Sequence, residues 1–225
     1  MRVLFKLLQV AIFALPLLAM RQDKPLRVIF FGDSITQAGV NPTGYITQMG
    51  EMLKTKGQEG QYELIGAGIG GNKVYDLYLR LEDDVLSKTP DVVFIYVGIN
   101  DVWHKASSGT GTDADKYVKF YEALIKKMKA QNIRVIVCTP TVIGERNDAS
   151  NSQDGDLNQY SKLIREIATR NSLQVCDLRK YFQDYLTQNN PENKEKGILT
   201  SDRVHLTDAG NKFLAEKMLE ALVQR

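Results

Sequence analysis

Five short runs of apolar residues recur along the chain, and a longer segment with helical spacing separates each run from the next. The runs cover residues 26–32, 62–68, 91–98, 133–140 and 173–178. Continuous apolar runs of this length are typical of strands that are buried on both faces of a sheet. Strands that alternate with helices favour a parallel sheet with right-handed crossovers. We therefore predict an α/β fold, a three-layer α/β/α sandwich around a five-stranded parallel sheet.

Segments with helical spacing follow the predicted strands. They cover residues 43–57, 74–89, about 113–130, about 156–170, about 179–189 and 208–223. In the second of these the apolar residues fall on one face, which is typical of a helix packed against a sheet. Asp113 is the expected N-cap of the third. The polar segments 103–112 and 141–155 predict two long loops.

Composition narrows the classes of function. The chain has 225 residues, of which 43% are hydrophobic and 25% charged, enough apolar material for one sizeable core. Lysine and arginine total 29 against 27 acidic residues, and this near-balance argues against a nucleic-acid partner. Only two histidines are present, so a reaction that needs an imidazole must use His104 or His205. We expect no metal site.

The first twenty residues predict a targeting segment rather than part of the fold. Arg2 and Lys6 precede a mostly apolar run from Leu7 to Ala19. This run is short for a membrane span but has the length of the hydrophobic region of a signal peptide. We expect residues 1–20 to be a cleaved signal peptide and residues 21–225 a single domain, periplasmic or secreted and without stable membrane insertion. An uncleaved membrane anchor stays open as the alternative.

The two cysteines, Cys138 and Cys176, lie in apolar, strand-like runs. Two cysteines exclude a disulfide-rich scaffold and a four-cysteine zinc site. Export would place both in an oxidising compartment. The sequence leaves open whether they are buried thiols or form a disulfide.

Glycines and polar residues follow three of the predicted strands and precede the last helix. These segments are GDSIT at 32–36, GAGIGGN at 66–72, GIND at 98–101 and SDRVH at 201–205. In a parallel sheet with helices on both faces, functional groups collect at the carboxyl ends of the strands. We therefore expect the four segments to converge on one edge of the sheet.

The residues in these segments suit nucleophilic catalysis by a serine. Ser34 follows a strand on a tight turn, and Asp202 precedes His205 by three positions. One turn of chain can bring the carboxylate to Nδ1 of the histidine and leave Nε2 for the serine. The backbone N–H groups of Ser34 and Gly71 and the side-chain amide of Asn100 are candidate oxyanion donors. Each residue alone is compatible with a structural role, but the fold would bring all five together.

In the blocks GDSIT, GIGGN, GINDVW and DRVHLTDAG the chain resembles the GDSL or SGNH hydrolase family. The resemblance runs from Gly32 to Gly210. It implies a flavodoxin-like sheet, an ester-hydrolysing activity and no cofactor. It also implies Ser34 as the nucleophile, with Gly71 and Asn100 as oxyanion donors. Asp202 and His205 would be the remaining members of the triad. Asp33 and Asp101, within the first and third blocks, are expected to support the site.

Two features depart from the family pattern. Ile35 stands where the family name has leucine, which is a conservative change. The second block begins at Gly66, where the family often has asparagine, and this affects the support of the loop rather than the Gly71 donor. The G-x-S-x-G motif of ordinary α/β-hydrolases does not occur around Ser34, which disfavours that class.

The second block also fits a dinucleotide-binding fingerprint, because Gly66, Gly68 and Gly71 have the spacing G-x-G-x-x-G. In that fold the fingerprint follows the first strand, and an acidic residue ends the next strand. Here the glycines follow the second strand, and Asp91 begins the next one instead of ending it. An NAD-dependent enzyme is therefore a weak alternative.

A catalytically silent glycan-binding module on the same scaffold is a further alternative, although such a module should have lost residues of the candidate site. His104 is the competing base, but only Asp101 lies at a usable spacing from it. Trp103 is either a packed anchor or a platform on which a sugar stacks. We regard Trp103 and His104 as candidate substrate contacts.

The two predicted rim loops, 103–112 and 141–155, are polar and lack the long apolar stripe of a lipase groove. We therefore expect a small-molecule or glycan ester with a short acyl group, such as acetyl. Lysophospholipids and thioesters stay open as alternatives, because loops set specificity on such scaffolds. The sequence leaves the oligomeric state undetermined.

Overall fold

The computed structural model describes residues 24–224, so the predicted signal peptide at 1–20 lies outside the described residues. Five strands of this part form one sheet in which every neighbouring pair is parallel. They are β1 (Leu26–Gly32), β2 (Tyr62–Gly68), β3 (Val92–Tyr96), β4 (Arg134–Cys138) and β5 (Gln174–Cys176). Their order is β2-β1-β3-β4-β5, the flavodoxin-like order. The predicted five-stranded parallel α/β fold is confirmed.

The helices lie between the strands and after the last one. They are α1 (Ser34–Ala38), α2 (Tyr45–Thr55), α3 (Val74–Leu79), α4 (Leu81–Asp84), α5 (Ile99–Ser108), α6 (Ala114–Ala130), α7 (Asp154–Asn171), α8 (Leu178–Asn189) and α9 (Asp208–Val223). Helix α2 packs against α9, while α3 packs against α6, which also contacts α7. These two groups of helices are the outer layers of the sandwich. No helix among the described residues is long and apolar enough to span a bilayer.

The central strands are buried on both faces, which explains their uninterrupted apolar sequence. All five residues of β3 are buried, as are Val28, Ile29, Phe30 and Phe31 of β1. Phe30 and its register partner Phe94 stack with their ring centroids 5.0 Å apart. Full burial of one such side chain contributes about 1.5–3 kcal/mol. The ends of β1, β2 and β3 are level, because Gly32 pairs with both Gly68 and Tyr96.

Two predictions about local structure are wrong. The segment 74–89 is not one helix: it consists of α3, α4 and a short 3-10 turn at Leu86–Lys88, although its apolar residues still face the core. The predicted loop 103–112 is largely helical, because α5 continues to Ser108 and ends at Gly109 in the left-handed conformation. Asp113 is the N-cap residue of α6, as predicted, although its carboxylate pairs with Lys105 and makes no side-chain capping bond.

The two cysteines are free thiols in the described structure. Cys138 of β4 and Cys176 of β5 are register partners, and both are buried. Burial, reinforced by the neighbouring Cys176 thiol, raises the pKa of Cys138 well above its ordinary value. Both side chains are therefore part of the apolar core between the sheet and its helices.

Candidate active site

Ser34 is the first residue of α1, directly beyond the end of β1. Gly32 permits this turn, since a Cβ there would lie 2.4 Å from both Thr36 Oγ1 and Tyr96 O. Asp33 is the N-cap, and its carboxylate accepts a hydrogen bond from the Ile35 N–H at 3.0 Å. The strand-to-helix turn thus presents a half-buried Ser34 hydroxyl at the carboxyl edge of the sheet.

Ser34, His205 and Asp202 form one hydrogen-bonded line. Ser34 Oγ lies 2.9 Å from His205 Nε2, and His205 Nδ1 lies 2.6 Å from Asp202 Oδ2. The serine and the histidine are 171 positions apart in sequence, so the fold brings them together. This is the geometry in which an imidazole can take a proton from a serine while a carboxylate orients the ring.

The carboxylate of Asp202 is held by its own loop. Asp202 Oδ1 accepts hydrogen bonds from the backbone N–H groups of Val204 and His205, at 3.0 and 2.7 Å. Partial burial would raise the pKa of Asp202, but the hydrogen bonds from the His205 ring and from these two N–H groups outweigh it and lower the pKa. The side chain therefore stays ionised at neutral pH and favours a proton on His205 Nδ1.

The loop after β2 lies against Ser34. A Cβ built on Gly70 would be 3.8 Å from Ser34 Cβ, and the Ile69 N–H donates to Gly32 O at 3.2 Å. Gly71 has a φ of +78°, a left-handed conformation that favours glycine. Gln37 of α1 supports the loop, because its Oε1 accepts the Gly70 N–H at 2.8 Å. This contact holds residues 69–73, the glycine loop, beside Ser34.

Asn100 is the second residue of α5 and is 3% exposed. Its Nδ2 donates to Asn72 O at 3.1 Å, which ties the end of β3 to the glycine loop. The second hydrogen on Nδ2 is not used by this bond. Among residues 24–224, the backbone N–H groups of Ser34 and Gly71 have no acceptor. Three donors thus lie on the segments that surround the serine.

Asp33 and Asp101 are buried carboxyl groups behind these segments. Burial raises the pKa of Asp33 to about 6, although the Ile35 N–H and His205 lower it. Burial raises the pKa of Asp101 to about 7, against the lowering effects of Thr112 and of the Val74 N–H, which donates to Oδ1 at 3.2 Å. Oδ2 of Asp101 is buried without a hydrogen-bond partner among residues 24–224. Both groups hold the backbone of the site.

Trp103 and His104 lie on α5 instead of on a loop. The Trp103 ring is half-buried and lies edge-on to His205, with centroids 6.4 Å apart. His104 is farther along, with its ring 5.6 Å from Trp103. Burial, with a contribution from Lys73, lowers the pKa of His104. In the described part of the chain the ring nitrogens of His104 make no hydrogen bond, whereas those of His205 join Ser34 and Asp202.

Arg80 is a structural residue of the site that sequence analysis did not identify. Its Nη2 donates to Gly32 O and to Ala67 O, at 2.7 and 3.0 Å. Its Nε donates to Asn72 Oδ1 at 2.7 Å, and the guanidinium stacks on Phe31, 4.5 Å from the ring centroid. Arg80 therefore ties β1, β2 and the glycine loop together. Its place in a predicted helix gave no local signal of this role.

The described residues contain no group of three His, Cys, Asp or Glu side chains arranged to hold a metal ion. The site itself offers hydroxyl, imidazole, carboxylate and N–H groups. Together these groups can deprotonate a serine and stabilise a negatively charged oxygen beside it.

Residues 30–213 match the GDSL-like lipase/acylhydrolase family. An acetylxylan esterase of Geobacillus stearothermophilus is 29% identical over 214 residues, which cover 87% of this chain and 93% of that protein. The crystal structure of an acetyl xylan esterase, AlAXEase, superposes with a TM-score of 0.87 at 66% identity, covering 88% of this chain and 100% of the other.

A second solved structure is a catalytic mutant of Axe2, an acetylxylan esterase from Geobacillus stearothermophilus. It has a TM-score of 0.78 at 27% identity and covers 89% of this chain and 95% of its own. Catalytic mutants of Axe2 have been solved in which an aspartate, a histidine or a serine is replaced by alanine. The aspartate and the histidine lie three positions apart in Axe2.

Proposed function

Because the chain belongs to the GDSL-like lipase/acylhydrolase family, we propose that it is a serine esterase that removes acetyl groups from a carbohydrate through an acyl-enzyme. The observation that carries this proposal is the hydrogen-bonded line from Ser34 through His205 to Asp202. The mutated residues of Axe2 support it, because an aspartate three positions before a histidine, together with a serine, is also the pattern in this chain.

In the first half of the reaction, Ser34 Oγ attacks the ester carbonyl while His205 Nε2 takes its proton. Asp202 keeps the ring oriented and stabilises the imidazolium that forms. Because its pKa is lowered, Asp202 stays ionised throughout. His205 then gives the proton to the leaving alcohol, and the acyl group stays on Ser34.

The tetrahedral intermediate carries a negative oxygen that needs preorganised donors. We assign this role to the backbone N–H groups of Ser34 and Gly71 and to Asn100 Nδ2. The left-handed φ of Gly71 and the bond from Asn100 to Asn72 O fix two of these donors before substrate binds. In the second half of the reaction, His205 deprotonates a water molecule that releases the acid, and the same donors serve again.

The acetyl preference rests on the rim of the site and on the relatives. Residues 146–150, in the loop between β4 and α7, are exposed and include no large apolar side chain. A long acyl chain would find no continuous apolar surface on this loop. Trp103, beside His205, offers an aromatic face to a sugar or a wall to a small acyl group. The relative and the two solved structures compared above are all acetylxylan esterases, which supports an acetylated glycan as substrate.

Rates on 4-nitrophenyl esters from acetate to palmitate test this function, followed by rates on acetylated xylo-oligosaccharides. We expect the highest kcat/KM on acetate and acetyl release from the oligosaccharides, with both lost in Ser34→Ala. An optimum at palmitate would favour a lysophospholipase or thioesterase-type acylhydrolase. Ester hydrolysis that survives Ser34→Ala would refute the nucleophile.

We also propose that the domain at residues 21–225 is exported by the segment at 1–20. Arg2, Lys6 and the apolar run that follows support this proposal. N-terminal sequencing of the protein recovered from an expressing cell tests it. A mature protein that begins near residue 20 outside the cytoplasm is expected, whereas intact Met1 on cytoplasmic material would contradict it.

A further inference from the structure

Glu145 is a fully buried acid in the loop after β4. Its carboxylate accepts hydrogen bonds from the segment that leads to Asp202. Oε2 accepts the Ile198 N–H at 2.9 Å, and Oε1 accepts the Leu199 N–H at 2.7 Å. Oε1 also accepts hydrogen bonds from the backbone N–H and, at 2.9 Å, from the hydroxyl of Thr200. One carboxylate therefore receives four donors from three consecutive residues.

The residues that donate to Glu145, 198–200, form the base of a small hairpin at residues 198–207. The Thr207 N–H donates to Leu199 O at 2.9 Å, and Thr200 and Leu206 form an antiparallel bridge. Nearer the tip, the Ser201 N–H donates to His205 O at 2.8 Å. Asp202 and His205 lie at the tip. The position of the base therefore sets the position of the two side chains that line up with Ser34.

The backbone on either side of the Glu145 carboxylate contacts the same region. The Gly144 N–H donates to Arg203 O at 2.9 Å, and the Glu145 N–H donates to Glu195 O at 2.9 Å. Arg203, at the hairpin tip, has a φ of +90°, which is rare for a residue with a side chain. A conformation of this kind persists when its surroundings hold it in place. Gly144 and Glu145 thus hold both the tip and the base.

A buried carboxylate is costly unless strong hydrogen bonds compensate for its lost solvation. All four donors to Glu145 are neutral groups. An apolar side chain of similar size would leave three backbone N–H groups and the Thr200 hydroxyl without this acceptor, so the acid holds the segment at residues 198–200 in place. The side chains of His205 and Asp202 are 38% and 51% exposed, so their position relative to Ser34 depends on the backbone of the hairpin that carries them.

We propose that Glu145 is a positioning residue of this enzyme: its carboxylate fixes the base of the 198–207 hairpin and so keeps His205 Nε2 within hydrogen-bond reach of Ser34 Oγ. The proposal rests on the serine-esterase function proposed above. Glu145 acts through the hairpin and does not touch the substrate. Displacement of a catalytic group by about 1 Å can reduce the rate about 10²-fold.

The test compares Glu145→Gln with Glu192→Gln in the full chain. Glutamine keeps the size of the side chain but turns one acceptor into a donor that faces backbone N–H groups. Glu192 is the matched control, because its carboxylate lies 2.8 Å from Lys194 Nζ and is largely exposed. We expect kcat on 4-nitrophenyl acetate to fall about 10–100-fold in Glu145→Gln with KM within about threefold, and to stay unchanged in Glu192→Gln.

The second readout is the low-field proton NMR signal of His205 Nδ1–H, which reports its bond to Asp202. We expect this signal to shift or broaden in Glu145→Gln and to remain in Glu192→Gln. A folded Glu145→Gln protein with the wild-type kcat and the wild-type signal would overturn the proposal, even if it melted at a lower temperature. Such a result would assign Glu145 to stability alone.

If Glu145→Gln does not fold, Thr200→Val makes the same comparison, since it removes one donor to the carboxylate. A severalfold lower kcat with a shifted signal is then expected, and an unchanged kcat and signal would overturn the proposal. The NMR signal does not require turnover. A wild-type protein that hydrolyses no ester would therefore refute the esterase function, while the signal would still test whether Glu145 positions His205.

Discussion

Asp202 contacts His205 at two points, with Oδ2 2.6 Å from the ring Nδ1 and Oδ1 accepting the backbone N–H at 2.7 Å. One carboxylate thus fixes both the ring and the chain that carries it. Because hydrogen bonds to the charged form lower the pKa of Asp202, the group remains an acceptor at neutral pH. Nδ1 then carries the proton, and Nε2 is left free to accept one from Ser34.

Replacing Asp202 with asparagine should separate these two contacts. The amide oxygen can still accept the His205 backbone N–H, but an NH₂ group facing Nδ1 favours the wrong tautomer of the ring. We expect kcat on 4-nitrophenyl acetate to fall about 10³–10⁴-fold with a much smaller change in KM. Asp208→Asn, an exposed aspartate at the start of α9, is the control and should stay within about twofold. A loss below about tenfold in Asp202→Asn would contradict the proposed role.

Gly71 and Gly57 form a matched pair for testing the oxyanion donor. Both have a left-handed φ, of +78° and +66°, and neither has an atom within 4 Å of a built Cβ. Alanine should therefore cost each site about 1–2 kcal/mol of unfolding free energy. Only Gly71→Ala should also lower kcat, by about 10²-fold, because the donor N–H would turn away from the oxyanion. Urea unfolding and ester kinetics on both variants would show this, and equal kcat values would argue against the donor.

The buried carboxyl of Asp101 predicts a pH-dependent contribution to stability. Its pKa is raised from 3.8 to about 7, so between these values the folded protein keeps a proton that the unfolded chain has lost. Its contribution to stability is therefore fully present at low pH and is lost as pH rises through about 7. Asn at this position has no charge to bury and can still accept the Val74 N–H.

Asp101→Asn should therefore gain stability relative to wild type as pH rises from 4 to 8, by between about 1 and 4 kcal/mol. Urea unfolding of the two proteins at both pH values measures this difference. The new amide group can also donate to Thr112 Oγ1, which is buried without a hydrogen-bond partner among the described residues. A difference that is the same at both pH values would contradict the raised pKa.

Arg80 should matter for stability and activity together. Arg80→Ala would remove the charged donor to the carbonyls of Gly32 and Ala67, and Gly32 O would keep the longer bond from the Ile69 N–H. Hydrogen bonds from charged groups are worth about 1.5–3 kcal/mol, so we expect a loss of about 2–3 kcal/mol of unfolding free energy and a lower kcat. Arg170, which pairs with Glu122 on the surface, is the control, and Arg170→Ala should cost less than about 1 kcal/mol. Equal losses of unfolding free energy in the two variants would contradict this role of Arg80.

The sheet could be predicted from sequence because its central strands are buried on both faces. The predicted runs 26–32 and 62–68 coincide with β1 and β2. Helix α5 was missed because most of its length is polar. The hydroxyls of Ser107 and Ser108 donate to the carbonyls of Trp103 and His104, four residues earlier, so part of their hydrogen bonding is satisfied within the helix. From sequence alone, a polar segment of this kind is predicted as a loop.

The candidate site was predictable only where a residue follows a strand end or a short spacing links two residues. Ser34, Asn100 and the pair Asp202 and His205 meet that condition. Arg80 and Glu145 do not, because their partners lie far away in sequence. Arg80 binds a carbonyl 48 positions away, and Glu145 binds an N–H 55 positions away. Such contacts form only in the folded chain, so no local sequence pattern predicts them.

The central claim is that Ser34 carries the acyl group and that His205, not His104, activates it. The most direct measurement is rapid quenching during turnover of 4-nitrophenyl acetate, with mass spectrometry of the peptide that contains Ser34. We predict one acetyl group on Ser34 in wild type and in His104→Ala, formed at similar rates, and very slow formation in His205→Ala. Acetyl on another residue, or equally fast acetylation of Ser34 in His205→Ala, would contradict the account.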